Sequence, residues 1–135
     1  MDRQRIKKIL VPLDGSKNSQ RSLETAIHLA KEHEASLTAI YVIHTLSESV
    51  RQRRQESTPE FLLLAKKLAE KNDVPFHSRT LEGDPGHSII EYANTRNIDL
   101  IVIGARGLGT FKKIFLGSVS SYVLHKSKVA VMLIK

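Results

Sequence analysis

The residues best suited to chemistry lie between Gly104 and Ser120, where the chain reads GARGLGTFKKIFLGSVS. The stretch follows the apolar run Leu100-Ile101-Val102-Ile103 and leads into Val119 to Leu124. The order is strand, glycine-rich loop, then small hydroxyl residues at a helix start. Glycine lets backbone N–H groups approach an anion with no Cβ in the way, and the amides at a helix start carry partial positive charge. The segment therefore predicts a site for a phosphorylated ligand. Two common phosphate motifs do not fit these letters. A P-loop needs a lysine before its last hydroxyl residue, yet Gly109 is followed directly by Thr110. A dinucleotide fingerprint needs three glycines after the first strand, where VPLDGSKNS offers one.

Gly104, Gly107, Gly117 and Ser118 fit the spacing G-x2-G-x9-G-(S/T). With KKILVPLDGS near the start, EGDPGHSIIEYA in the middle, DLIVIGARG before the loop and VAVMLIK at the end, the chain resembles the universal stress protein family in its ATP-binding branch over nearly its whole length. The resemblance implies a nucleotide-dependent sensor or regulator in stress response, with ATP, or else ADP or AMP, as ligand. Any Mg²⁺ would be held through the nucleotide's phosphates and water. Asp14 would accept hydrogen bonds from ribose hydroxyls, a task that suits a carboxylate, with Pro12 and Leu13 as the wall beside the nucleoside and Ser16 nearby. Val42 would meet adenine through its backbone. Gly104, Gly107 and Gly117 would admit the phosphates, Arg106 would add a charged contact, and Ser118, Val119 and Ser120 would form the helix start, with the serines as hydroxyl donors. Ala105 stands where relatives often carry Ser, which removes one hydroxyl. Read without the resemblance, Asp14 before Gly15 makes an Asx-turn and Ser16 a turn or a cap. Lys112 and Lys113 read as the solvated part of the spacer, whose Phe111, Ile114 and Phe115 need burial.

Those residues require a frame, and the hydrophobic pattern supplies one. Ile9-Leu10-Val11 is a short strand; Leu23, Ala26, Ile27 and Ala30 then share one helical face. Leu37 to Ile43 is a second strand, and the polar run Thr45 to Ser57 an excursion. Thr58-Pro59-Glu60 reads as a helix start with a hydroxyl cap, and Phe61, Leu64, Ala65 and Leu68 as its buried face. Phe76 to Leu81 is a third strand, and Asp84-Pro85 starts a helix carrying Ile89, Ile90 and Ala93. Leu100 to Ile103 and Val129 to Ile134 are near-continuous apolar strands, as in parallel sheets covered on both faces. The alternation predicts a single-domain, doubly wound α/β fold with a parallel sheet. The resemblance implies five strands in the order 3-2-1-4-5, which sets strands one and four beside a crevice at their carboxyl ends.

At 135 residues the chain accommodates one domain. Cysteine is absent, which excludes disulfides and thiolate chemistry, and the six histidines show no metal-ligand spacing. MDRQRIKK lacks an apolar signal core and no apolar run reaches a membrane span of about 20 residues, so the expected compartment is the cytoplasm. The net charge of +7 raises nucleic acid as a partner, but the basic residues are dispersed and carry no recognition motif. A slow ATPase or self-phosphorylating protein is the other alternative; no general base is evident beside the hydroxyls. Val129 to Ile134 has no internal charge and only Lys135 follows it. At a sheet edge such a strand invites pairing, so the expectation is a homodimer through this strand across a two-fold axis.

Overall fold

The computed structural model describes residues 5–44, 58–107 and 116–135. The excursion at Thr45 to Ser57 and the spacer residues Phe111 to Phe115 lie outside them. In chain order the elements are β1 Lys8–Pro12, α1 Lys17–His33, β2 Ser36–Ile43, α2 Glu60–Lys71, β3 Phe76–Glu82, α3 Pro85–Thr95, β4 Leu100–Gly104, α4 Ser118–Lys126 and β5 Ala130–Ile134. The five strands form one parallel sheet in the order β3-β2-β1-β4-β5.

Alternation along the central strands explains their continuous apolar character. Ile9, Val11, Leu100 and Val102 point into a core with Leu23, Ala26 and Ile27 of α1 and Leu62 and Ala65 of α2. Leu10, Ile101 and Ile103 point the other way, against Ile89 and Ala93 of α3 and Val123 of α4. Both faces of β1 from Ile9 to Val11 and of β4 from Leu100 to Ile103 are therefore buried, and only Lys8, at the exposed start of β1, is charged. Each fully buried Leu or Ile contributes on the order of 1.5–3 kcal/mol.

Three local expectations are corrected. Pro59, not Thr58, stands at the cap of α2, and no side chain caps that helix. Its buried face is Leu62, Ala65 and Ala69, with Phe61 and Leu68 flanking, whereas Leu64 is 52% exposed. Three consecutive leucines, Leu62 to Leu64, satisfy neighbouring helical registers equally, so periodicity alone does not choose between them. The last strand begins at Ala130 and is not covered on both faces: Val131 and Leu133 pack toward α3 and α4, while Ala130 and Met132 are exposed. It pairs with β4 alone, at the sheet edge. Among the described residues no helix is long and apolar enough to cross a membrane.

Candidate functional site

The winding reverses between β1 and β4, and the chain leaves the carboxyl ends of these neighbours in opposite directions. A cavity of about 340 Å³ opens there, at the position where open α/β sheets bind ligands. Pro12 lines it from the end of β1 and Leu13 and Asp14 from the loop that follows, Val42 from β2, Gly104 from the end of β4 and Arg106 and Gly107 from the loop that follows, and Gly117, Ser118, Val119 and Ser120 from the start of α4. Ser16 does not reach it. Its hydroxyl caps α1 by accepting from Ser19 N at 3.1 Å.

Asp14 serves the turn and faces the cavity at once. Its Oδ1 accepts from Ser16 N at 2.9 Å, an Asx-turn that leads into α1. Its Oδ2 lies on the other side, where a Cβ added at Gly107 would stand 2.7 Å away. A side chain at Gly107 would push that oxygen aside, so glycine there lets the carboxylate and the loop lie close together.

The amino end of α4 supplies donors. Its cap is Gly117, with φ −68° and ψ 162°, and no side chain caps it. The first helical hydrogen bond runs from Ser121 N to Gly117 O at 2.9 Å, so the amides of Ser118, Val119 and Ser120 precede the ladder. By contrast Ser16 and Asp84 cap α1 and α3 with their side chains. That backbone conformation at Gly117 suits any residue, so backbone strain does not call for glycine there. Ser120 is otherwise engaged: it is buried and its hydroxyl donates to Ala105 O at 2.8 Å, while Gly117 N donates to the same carbonyl at 2.7 Å. Ser120 thereby clamps α4 to the end of β4, and Ser118 is exposed, with no hydrogen-bond partner for its hydroxyl among the described residues.

A polar backbone edge lies opposite. Leu13 N donates to Ile40 O at 2.8 Å, so Ile40 presents its polar groups toward β1. Two residues further, Val42 presents its N–H and C=O to the same side, but β1 has ended at Pro12, the partner of Ile40. One donor and one acceptor therefore face the crevice from Val42. Ile40, Ile89, Ile103 and Pro85 add apolar walls around it.

A model of the universal stress protein family matches residues 5–135. The chain belongs to that family. Universal stress protein MJ0531 of Methanocaldococcus jannaschii is 35% identical over 139 residues, covering 96% of this chain and 82% of the relative. The solved structure of hypothetical protein MJ0577 shares the fold at a TM-score of 0.87, with 24% identity and 96% of each chain covered. The crystal structure of a universal stress protein in complex with cAMP has a TM-score of 0.74 and 25% identity, covering 96% of this chain and 97% of that one.

In this universal stress protein, two polar residues that sequence reasoning passed over hold the site in shape. Asn18, in the first turn of α1, is buried; its Oδ1 accepts from Arg106 N at 2.6 Å and its Nδ2 donates to Ile134 O at 3.0 Å. A Cβ at Gly104 would come within 2.6 Å of that Oδ1, so Gly104 makes room for Asn18 and not only for a ligand. The i, i+4 series Asn18, Ser22, Ala26 on the buried face was the available signal. Ser19 lines the cavity and its hydroxyl donates to Ser16 O at 2.9 Å. At the far end of the sheet Asp99 Oδ2 accepts from Lys7 N and Lys8 N, both at 2.9 Å, which ties β1 to the start of β4.

Proposed function

We propose that the crevice binds an adenine nucleotide, with ATP the principal ligand, and that the protein acts by changing state on binding rather than by turnover. The observation that carries this reading is the uncapped start of α4, which opens on the cavity beside Gly117 and opposite Asp14 Oδ2. Amides ahead of the helical ladder suit phosphate oxygens, and a carboxylate suits ribose hydroxyls. Ser118 and Arg106 stand beside those amides as further phosphate donors. The Val42 pair selects the base: its N–H matches adenine N1 and its C=O the N6 amino group. Guanine offers the reverse order, a donor to the N–H and an acceptor to the C=O. Binding of cAMP by a family member of the same fold supports an adenine ligand. A Mg²⁺ ion would arrive with the phosphates, which supply its ligands together with water.

Two features favour a regulatory role. Asp14 is the only carboxylate lining the cavity among the described residues, and one of its oxygens is held by Ser16 N. The loop after β4 is also bonded to the last strand, Ala105 N donating to Ile134 O at 2.7 Å, so a loop shift on binding reaches the edge strand β5. Pairing of β5 with its copy in a second protomer would cover the exposed Ala130 and Met132 and satisfy both edges at once, which makes a homodimer part of the proposal.

Equilibrium titration with ATP and GTP tests it. The expected result is micromolar ATP binding, on the order of −8 kcal/mol, with GTP at least tenfold weaker. No adenine nucleotide binding at millimolar concentration would refute the site, and Mg²⁺-dependent turnover near the ordinary enzymatic scale of about 10 s⁻¹ would refute the regulatory role.

A further inference from the structure

Basic residues that are scattered in the sequence converge at the end of the sheet opposite the crevice. Lys8 opens β1, His77 and Arg79 lie in β3, and Arg96 follows the last turn of α3; with Thr38 and Tyr92 they line a second cavity, of about 360 Å³. The register brings them together: Lys8 pairs with Ser36 and Thr38 with His77. Lys8, Thr38, His77 and Arg79 share strand parity with Leu10, Ile40 and Leu81, which pack toward α3, so all four lie on that face.

No carboxylate lines this cavity among the described residues. Two of the cations are oriented without being neutralised. Lys8 Nζ donates to Arg96 O at 3.3 Å, and the Arg96 guanidinium stands 5.2 Å from the centre of the Tyr92 ring. The carbonyl end of α3 accounts for Lys8, since a cation there complements the helix dipole. It does not account for Arg79, which projects from β3 and has no ion-pair partner among the described residues. Three permanent positive charges and a histidine thus surround one concavity, with the Thr38 hydroxyl as a further donor.

We propose that this cavity is a second ligand site, for a small anion carrying two or more phosphate groups. Clustered cations without carboxylates repel one another, and an anion that bridges them relieves the repulsion while accepting their hydrogen bonds. The concave shape favours a compact oligophosphate over a nucleic-acid strand. A strand would need an extended groove with exposed aromatic faces, and here Arg96 already lies over the ring of Tyr92. The proposal stands apart from the nucleotide reading, because none of these residues lines the crevice.

The test is calorimetric titration of the full chain with inorganic tripolyphosphate at low ionic strength, where exposed charges are least screened. The double variant Arg79→Ala/Arg96→Ala removes the two guanidinium groups. Lys66→Ala/Lys67→Ala removes equal charge from exposed positions on α2, and Gly117→Val blocks the crevice. The expected result is tripolyphosphate binding that persists in Gly117→Val and in Lys66→Ala/Lys67→Ala. In Arg79→Ala/Arg96→Ala it should weaken roughly tenfold or more, the scale of one charge-assisted hydrogen bond, with an unchanged circular dichroism spectrum. Four results would overturn the assignment: no binding at millimolar tripolyphosphate, an equal loss in the lysine variant, loss in Gly117→Val alone, or displacement of tripolyphosphate by a single-stranded oligonucleotide at lower concentration.

Discussion

Replacing Asn18 separates what holds the glycine loop from what lines it. The side chain is 8% exposed and joins three elements, α1 through its own backbone, the loop after β4 through Arg106 N, and β5 through Ile134 O. Its partners fix its orientation, since Arg106 offers an N–H and Ile134 a carbonyl. In Asn18→Ala both bonds are lost, but not equally. Ile134 O keeps Ala105 N at 2.7 Å, so its loss is about 0.5–1 kcal/mol. Arg106 N loses the one protein acceptor described for it, and a half-buried donor left unsatisfied costs about 1–2 kcal/mol. Together they predict a destabilisation of roughly 1.5–3 kcal/mol by urea unfolding, and ATP affinity lowered about tenfold because the released loop must be reordered on binding. Asn18→Asp keeps an acceptor for Arg106 N and turns an oxygen toward Ile134 O, so stability should fall while ATP affinity changes less than in Asn18→Ala. If Asn18→Ala remained within about 0.5 kcal/mol of wild type, the scale of an ordinary surface substitution, the network would not be structural. A variant that lost stability but bound ATP with wild-type affinity would refute the claim that Asn18 positions the loop.

Gly117→Val adds a branched side chain at the start of α4 at a backbone conformation that accepts it, so circular dichroism should show an intact fold while ATP titration shows no binding; normal binding would place the phosphates elsewhere. Asp14→Ala removes an acceptor facing the cavity and should cost roughly 1–3 kcal/mol of ATP affinity. It should also erase discrimination against 2′-deoxy-ATP, and unchanged discrimination would remove the ribose role. Met132→Lys puts charge on the exposed side of β5, where the native side chain is 37% exposed, and light scattering should show a dimeric wild type and a variant shifted toward monomer. A wild type that is monomeric at tens of micromolar would defeat the dimer.

Much of the architecture is legible in one dimension because its signals are local. Apolar runs at Ile9-Leu10-Val11 and Leu100 to Ile103 mark strands buried on both faces, and Asp84-Pro85 marks a helix start that the structure bears out, with Asp84 Oδ2 accepting from His87 N at 3.0 Å. Glycine spacing likewise pointed to the loop that lines the crevice, since spacing is a property of the chain itself. The sequence was silent wherever one side chain answers to a distant partner. It could not show that Gly104 makes room for Asn18, that Ser120 is committed to Ala105 O, or that Asp99 ties the start of β4 to Lys7 and Lys8. It left Asp14 divided between a turn and a ligand, and only the folded chain gives each carboxylate oxygen its own direction. Basic residues are dispersed along the chain, and only the parallel register of β1 to β3 and the packing of α3 on the sheet bring Lys8, Arg79 and Arg96 around one cavity. Periodicity and spacing act along the chain; hydrogen bonds and charges act through space, and the pairing of the strands together with the packing of the helices on them determines which of them meet.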